Sequence, residues 1–137
     1  MAVQIPENLQ DLIDRPIVTT VITVMPDGQP QATPVWYIYE DGYFVFNTAE
    51  GRQKERNLNR DSKVTFLTID PQNQFHWIEI RGHVAHVFRE SEGQPEARAS
   101  INSLSKKYTG NENYTGSGNT GEQRVKYLIE ADKVNGQ

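Results

Sequence analysis

Between residues 17 and 47 the chain alternates strand-forming runs with tight-turn chemistry, and a helical layout cannot accommodate that rhythm. Ile17–Met25 is β-branched almost throughout, which favours extended backbone. Pro26-Asp27-Gly28 follows; proline presets φ and glycine accepts positive φ, so the chain reverses there. Gln29–Tyr39 returns as a second strand, Asp41-Gly42 closes another hairpin, and Tyr43–Asn47 is the third strand. Strands joined in this way pair as an antiparallel meander. Pro30 and Pro34 each remove a ladder donor, and Pro34 falls mid-strand. It marks an edge, a bulge, or backbone that faces a ligand.

The remaining elements fit the same scheme. A short helix is expected over 6–14, where Leu9, Leu12 and Ile13 share a face, and another from about Glu50 to Arg60. Val64–Ile69 is the fourth strand and Phe75–Phe88 a long fifth one, with Ile78, Ile80 and Val84 on one face and Gly82 as a candidate bulge. Glu96–Tyr108 carries an apolar stripe of Ala97, Ile101, Leu104 and Tyr108 at helical spacing. Thr109–Gly121 is rich in Gly, Asn and Thr and reads as a mobile connection, with a lid over a ligand as the alternative; Tyr114 is its single large apolar group. Gln123–Glu130 is the sixth strand, and the last seven residues show no pattern. The expectation is an all-β single domain over 1–137: a six-stranded antiparallel barrel with short helices.

Composition narrows the function classes. The net charge is −4 over 137 residues, which argues against a nucleic-acid binder. Without cysteine there are no disulfides, thiolate metal sites or thiol nucleophiles. The N-terminus lacks a basic segment followed by an apolar core, and Ile17–Met25 is too short and too threonine-rich to span a bilayer. A cytoplasmic protein with no membrane contact is therefore expected. His83 and His86, three apart on a strand, fall on opposite faces, and His76 has no partner motif, so no metal site is expected. No nucleophile elbow or phosphate-cradling glycine loop occurs.

One stretch stands against the global charge. Residues 47–63 read NTAEGRQKERNLNRDSK and place Arg52, Lys54, Arg56, Arg60 and Lys63 just after an apolar strand. On a continuous helix Lys54 points away from Arg52 and Arg56. Arg52 and Lys54 converge on one phosphate only if 51–54 is loop or first turn, which Gly51 permits. The alternative is a solvated helix laced with Glu50 and Glu55. Trp36, Tyr37, Phe75 and Trp77 could wall a planar ligand or simply pack.

Taken in order, Thr33-Pro34-Val35-Trp36-Tyr37, Asp41-Gly42, Asn47-Thr48, Gly51-Arg52-x-Lys54-x-x-Asn57-Leu58-x-Arg60-Asp61 and Ile78-Glu79-Ile80-Arg81-Gly82 resemble the pyridoxamine 5′-phosphate oxidase-related split β-barrels. Leu104-x-Lys106-Lys107-Tyr108-x-Gly110 and Gly121-Glu122-x-Arg124-Val125 are similar to the branch assigned to the deazaflavin coenzyme. The resemblance implies a split barrel that forms a homodimer with cofactor sites at the interface. It also implies FMN or deazaflavin F420 as cofactor, and hydride transfer to or from a small organic substrate. By the same resemblance Arg52 and Lys54 hold the cofactor phosphate, Thr48 lies at the strand end beside it, and Thr33, Pro34, Val35 and Trp36 run beside the ring. Phe75 to Trp77, and Trp77 in particular, reach the neighbouring subunit's site. The basic strand motif of pyridoxamine phosphate oxidase itself is replaced by Ala-Thr-Pro-Val-Trp-Tyr at 32–37, so vitamin B6 oxidation is not the expected activity. No catalytic acid or base is assigned. The alternative function is a non-catalytic flavin, haem or pyridoxal-phosphate binding module. Arg56, Arg60 and Lys63 could line an exit groove for the acidic tail of the deazaflavin, or belong to a solvated helix.

Overall fold

The computed structural model describes residues 3–116 and 121–137. Within them, seven strands form one antiparallel sheet: β1 (Thr19–Val24), β2 (Pro30–Val35), β3 (Tyr37–Glu40), β4 (Tyr43–Ala49), β5 (Lys63–Asp70), β6 (Asn73–Arg89) and β7 (Arg124–Gly136). Their order is β2-β1-β5-β6-β7-β4-β3. The two outermost strands, β2 and β3, are consecutive in sequence with only Trp36 between them. The sheet must therefore roll until its edges meet at Trp36. The result is a barrel closed by covalent chain and split between two strands that do not pair.

Seven strands replace the expected six because the second is divided. Val35 pairs with Thr19, the first residue of β1, so β1 offers no further partner. Tyr37 then pairs with Phe46 on β4. The meander survives with its middle strand split between two neighbours. The patternless tail is also ordered: β7 continues through it, with Val134 opposite Ile80 and Gly136 opposite Ile78. Its residues are too polar for periodicity to show, and the length of β6 supplies the partner. Gly82 does sit at a register shift between β6 and β7; a Cβ there would run into the Glu130 carbonyl.

Phe44, Phe46, Phe66, Tyr37, Tyr127 and Ile80 fill the barrel, each at most 1% exposed, and Phe46 stacks on Tyr127. Burial of such rings dominates the stability of a core this size. The polar end of Tyr37 is satisfied internally: its Oη meets Thr68 Oγ1 at 2.6 Å, and Thr68 donates to Thr19 Oγ1 at 2.8 Å, whereas Tyr127 Oη has no partner among the described residues. The expected helix over 6–14 is a 3₁₀ turn, Glu7–Leu9, followed by one turn of α-helix, α1 (Asp11–Asp14). Helix α2 (Gln53–Arg60) packs on β1 through the buried Asn57, whose Nδ2 donates to Thr23 Oγ1 at 3.0 Å. Helix α3 (Glu96–Thr109) lies against β4 and β7 with Ala97, Ile101 and Leu104 buried. Among the described residues no helix is long and apolar enough to cross a membrane.

Candidate functional site

The barrel opens at its split. A cleft of about 290 Å³ is lined by Val18, Pro34, Val35, Trp36, Asn47 and Thr48, together with Arg52, Lys54, Leu104, Tyr114 and Arg124. That volume is at the lower end for a small-molecule site. Six of the eight residues singled out in the sequence are here: Pro34, Val35, Trp36, Thr48, Arg52 and Lys54. Thr33 and Trp77 do not line it. Thr33 pairs with Val21, and its Oγ1 is buried without a partner. Trp77 lies on β6, where its N–H and carbonyl both bond Gln137 at 3.0 Å, so it does not meet the cleft of its own chain.

The convergence of Arg52 and Lys54 follows from where α2 begins. Gly51 takes φ 89°, a conformation costly for other residues. Arg52 then has extended backbone as the residue before the helix, and Lys54 sits in the first turn. Neither is yet bound to the helical spacing that would part them. Glu55 secures this start: its buried carboxylate accepts the Gly51 N–H at 2.9 Å and is held by Arg89 at 3.2 Å. Glu55 is thus a buried structural acid, where the solvated-helix alternative expected an exposed one. Arg56 bonds the Gly51 carbonyl, and Arg60 the Val24 carbonyl.

Arg124 is the cation that sequence reasoning did not assign to the site. It enters from the start of β7, opposite Ala49, and is 2% exposed. Its Nε donates to Asn47 Oδ1 and its Nη1 to Glu122 Oε1, both at 2.8 Å. Arg52 reaches the other oxygen of Glu122 at 3.0 Å. Asn47 is fixed in turn by donating to the Ala97 carbonyl at 2.8 Å. A signal existed: an arginine opening an apolar strand, within the Gly121-Glu122-x-Arg124 motif. Val18, Asn47, Leu104 and Tyr114 were likewise not assigned, since each is ordinary in its own segment.

The electrostatics are lopsided. Three cations line the cleft, no carboxylate does among the described residues, and Glu122 pairs with the two arginines. Burial, with Arg52 and Arg124 nearby, pulls the Lys54 ammonium below the usual lysine range. Burial lowers Arg124 as well, against the pull of Glu122. Lys54 makes no hydrogen bond or ion pair with a described residue, and Thr48 Oγ1, on a residue 1% exposed, has no partner. A buried hydroxyl left without a partner costs about 1–3 kcal/mol unless something else satisfies it. The donor set suits a phosphate: guanidinium and ammonium give charge-assisted bonds, and a hydroxyl completes the cradle.

The opposite wall is aromatic. Trp36 stacks on Tyr108 at 5.3 Å and 13°, and Tyr114 meets its edge at 6.0 Å. Tyr108 Oη donates to the Ile17 carbonyl at 2.8 Å, and Lys107 Nζ donates to the carbonyls of Ile13 and Tyr37 at 2.6 and 2.9 Å. The end of α3 thereby clamps the chain on both sides of the split. Burial pulls Lys107 down to about 8 and pushes Tyr108 up to about 12. Tyr114, the apolar residue of the long connection, also lies over Arg124 at 5.2 Å; residues 117–120 of that connection fall outside the described residues.

Two clusters pair histidine with acids elsewhere: Asp11, Asp70 and His76, and His83, Glu130 and Asp132. Arg15 already pairs with both acids of the first, each at 3.2 Å. In the second, the two ring nitrogens of His83 face separate carboxylates at 3.1 and 2.9 Å. Both clusters are internally paired.

The family profile of pyridoxamine 5′-phosphate oxidase matches residues 5–135. Among solved structures, an F420 reductase is similar with 25% identity and a TM-score of 0.79, covering 96% of this chain and 98% of that one. A conserved hypothetical protein from Mycobacterium tuberculosis is 27% identical with a TM-score of 0.73, covering 98% and 85%. A Lactobacillus delbrueckii protein, provisionally assigned as a pyridoxamine 5′-phosphate oxidase, shares the fold at 17% identity and a TM-score of 0.64, covering 96% and 93%. No curated protein matches. The chain belongs to the pyridoxamine 5′-phosphate oxidase family, as its sequence motifs imply.

Proposed function

We propose that this member of the family binds a phosphate-bearing flavin-type cofactor, FMN or deazaflavin F420, and acts as an oxidoreductase on a small organic substrate in the cytoplasm. The observation that carries the reading is the gathering of Arg52, Lys54 and Arg124 in one cleft with the unpartnered Thr48 hydroxyl. Likeness to an F420 reductase supports it. When bound, such a cofactor supplies the hydride-transfer chemistry. The chain's own residues bind and orient. Arg52, Lys54 and Arg124 hold the phosphate and Thr48 donates to it. Pro34, Val35 and Trp36 form the wall beside the ring, with Trp36 kept flat by Tyr108. Leu104 and Tyr114 exclude water.

The modest cleft supports a second part of the proposal, a homodimer in which the partner completes the ring site. The β5–β6 hairpin offers the contact: Ile69 is 45% and Phe75 67% exposed, and Trp77 lies two residues further on. A second reading, a cofactor carrier without turnover, is favoured by the cleft lining, which contains no His, Asp or Glu. Titration with FMN and separately with F420, read by visible absorption, tests the binding. Steady-state reduction of a dye or quinone by the reduced cofactor then separates enzyme from carrier. The oxidoreductase reading expects tight binding of at least one cofactor and turnover. Failure of both to bind overturns the reading, and binding without turnover leaves the carrier.

A further inference from the structure

We infer that Glu122 is an internal stand-in for the ligand's phosphate: it neutralises the two arginines that the phosphate must also engage, and so sets how strongly charged an anion must be to enter. The inference rests on the phosphate reading above and adds a specificity-determining residue to it.

Glu122 places one carboxylate oxygen on each guanidinium, 3.0 Å from Arg52 and 2.8 Å from Arg124, with its side chain 8% exposed. Without that charge the cleft would hold three cations close together, Arg124 almost wholly buried; a buried charge stripped of its partner is strongly destabilising. Burial first, and then the nearness of Arg52 and Arg124, depresses the proton affinity of Lys54. Glu122 is anchored independently of the cleft. Arg98 donates to its carbonyl at 3.2 Å and also grips Glu90, whose carboxylate accepts the Arg124 N–H at 3.0 Å. It therefore stays in place when an anion arrives. Arg52, 40% exposed, is the arm free to turn from Glu122 toward a ligand.

The consequence is selectivity by charge. An incoming anion meets Lys54 and Thr48 Oγ1 directly but competes with Glu122 for the arginines. A halide or simple carboxylate gains too little to compete. A phosphate group, with several acceptor oxygens and more charge, can engage all the donors at once.

The test is calorimetric titration of wild type, Glu122→Gln and Lys54→Ala with inorganic phosphate and with FMN, alongside thermal melts with and without phosphate. Glu122→Gln is expected to bind phosphate about tenfold tighter, since a like charge near the anion is gone. It is also expected to bind acetate detectably, to melt lower than wild type without phosphate, and to gain more from its addition. Equal or weaker phosphate binding by Glu122→Gln overturns the inference, because a side chain that only orients the arginines gives that result. Should Glu122→Gln fail to fold, Glu122→Asp, whose shorter arm cannot span both guanidiniums, carries the same expectation at reduced size; unchanged affinity there overturns it too. Lys54→Ala separates the two failures. If it weakens phosphate binding while Glu122→Gln does not tighten it, only the stand-in role falls. If Lys54→Ala binds like wild type, the phosphate reading itself falls.

Discussion

Helix α2 carries cations toward two different surroundings. Arg52 and Lys54 reach the cleft, where Glu122 pairs with Arg52 and Arg124, Lys54 pairs with no described residue, and the buried Thr48 hydroxyl goes unanswered. Four residues on from Arg52 comes Arg56, and Arg60 ends the helix; neither lines the cleft. Arg56 bonds the Gly51 carbonyl and Gln53, and Arg60 bonds the Val24 carbonyl. Both are exposed and neither has a carboxylate partner among the described residues. The residue types are the same and the segment is one run of sequence. A surface arginine tied to a carbonyl leaves nothing for a ligand to repair. A half-buried lysine with no partner among the described residues, beside an orphaned hydroxyl, does. The chemistry of a site is thus read from what its groups lack.

The contrast can be broken by mutation. The largest effect is expected for Arg124→Met, which takes the donor from Asn47 Oδ1 and one of its two guanidiniums from Glu122. It should cost on the order of 3 kcal/mol of stability, measured by denaturant unfolding, and abolish phosphate binding. Lys54→Ala comes next: phosphate-ligand affinity should fall at least about tenfold, as for loss of a charge-assisted bond, while Arg56→Ala shifts it less than about twofold. Equal losses in the two titrations would erase the distinction between the faces. Thr48→Val should lower affinity severalfold with no loss of melting temperature, because the hydroxyl has no partner to lose.

The smallest effect is the pH dependence that the paired clusters contribute. Asp132 raises His83 above the ordinary histidine range, with Glu130 adding to it, and Asp11 raises His76. A raised value means the contribution is complete below the unfolded histidine range and fades as pH rises through the folded one. Lys63 lies opposite His83 in the sheet, and Lys133, Arg81 and Glu79 stand near. Melting temperature should therefore fall from mildly acidic to mildly alkaline pH, less so in His83→Gln, with phosphate affinity unmoved by that substitution. An identical pH profile in the variant would remove His83 from the account.

Much of this was legible in the chain. Hairpin chemistry at 26–28 and 41–42 and the β-branched runs gave the antiparallel barrel, because turn residues and strand propensity act locally. Pro34 left an edge, a bulge or ligand-facing backbone open; it stands on an outermost strand and lines the cleft. The division at Trp36 was not legible, since it depends on β1 beginning at Thr19, which pairs with Val35 and leaves no β1 partner beyond it, a fact of pairing and not of local sequence. The tail looked patternless because its strand is held by the partner's length rather than its own hydrophobicity. Arg52 and Lys54 could be named because the family resemblance singled them out, with Gly51 beside them permitting the convergence. Arg124 and Tyr114 lie some 60 to 70 positions away and reach the cleft only through the β4–β7 pairing and the end of α3.

A crystal structure of the protein soaked with FMN measures the central claim most directly. The account expects the phosphate within hydrogen-bonding distance of Lys54 Nζ, Thr48 Oγ1 and the guanidiniums of Arg52 and Arg124, with the ring along Pro34–Trp36. A phosphate seated instead on Arg56 and Arg60, or a ring bound with Lys54 and Thr48 still unpartnered, would contradict it.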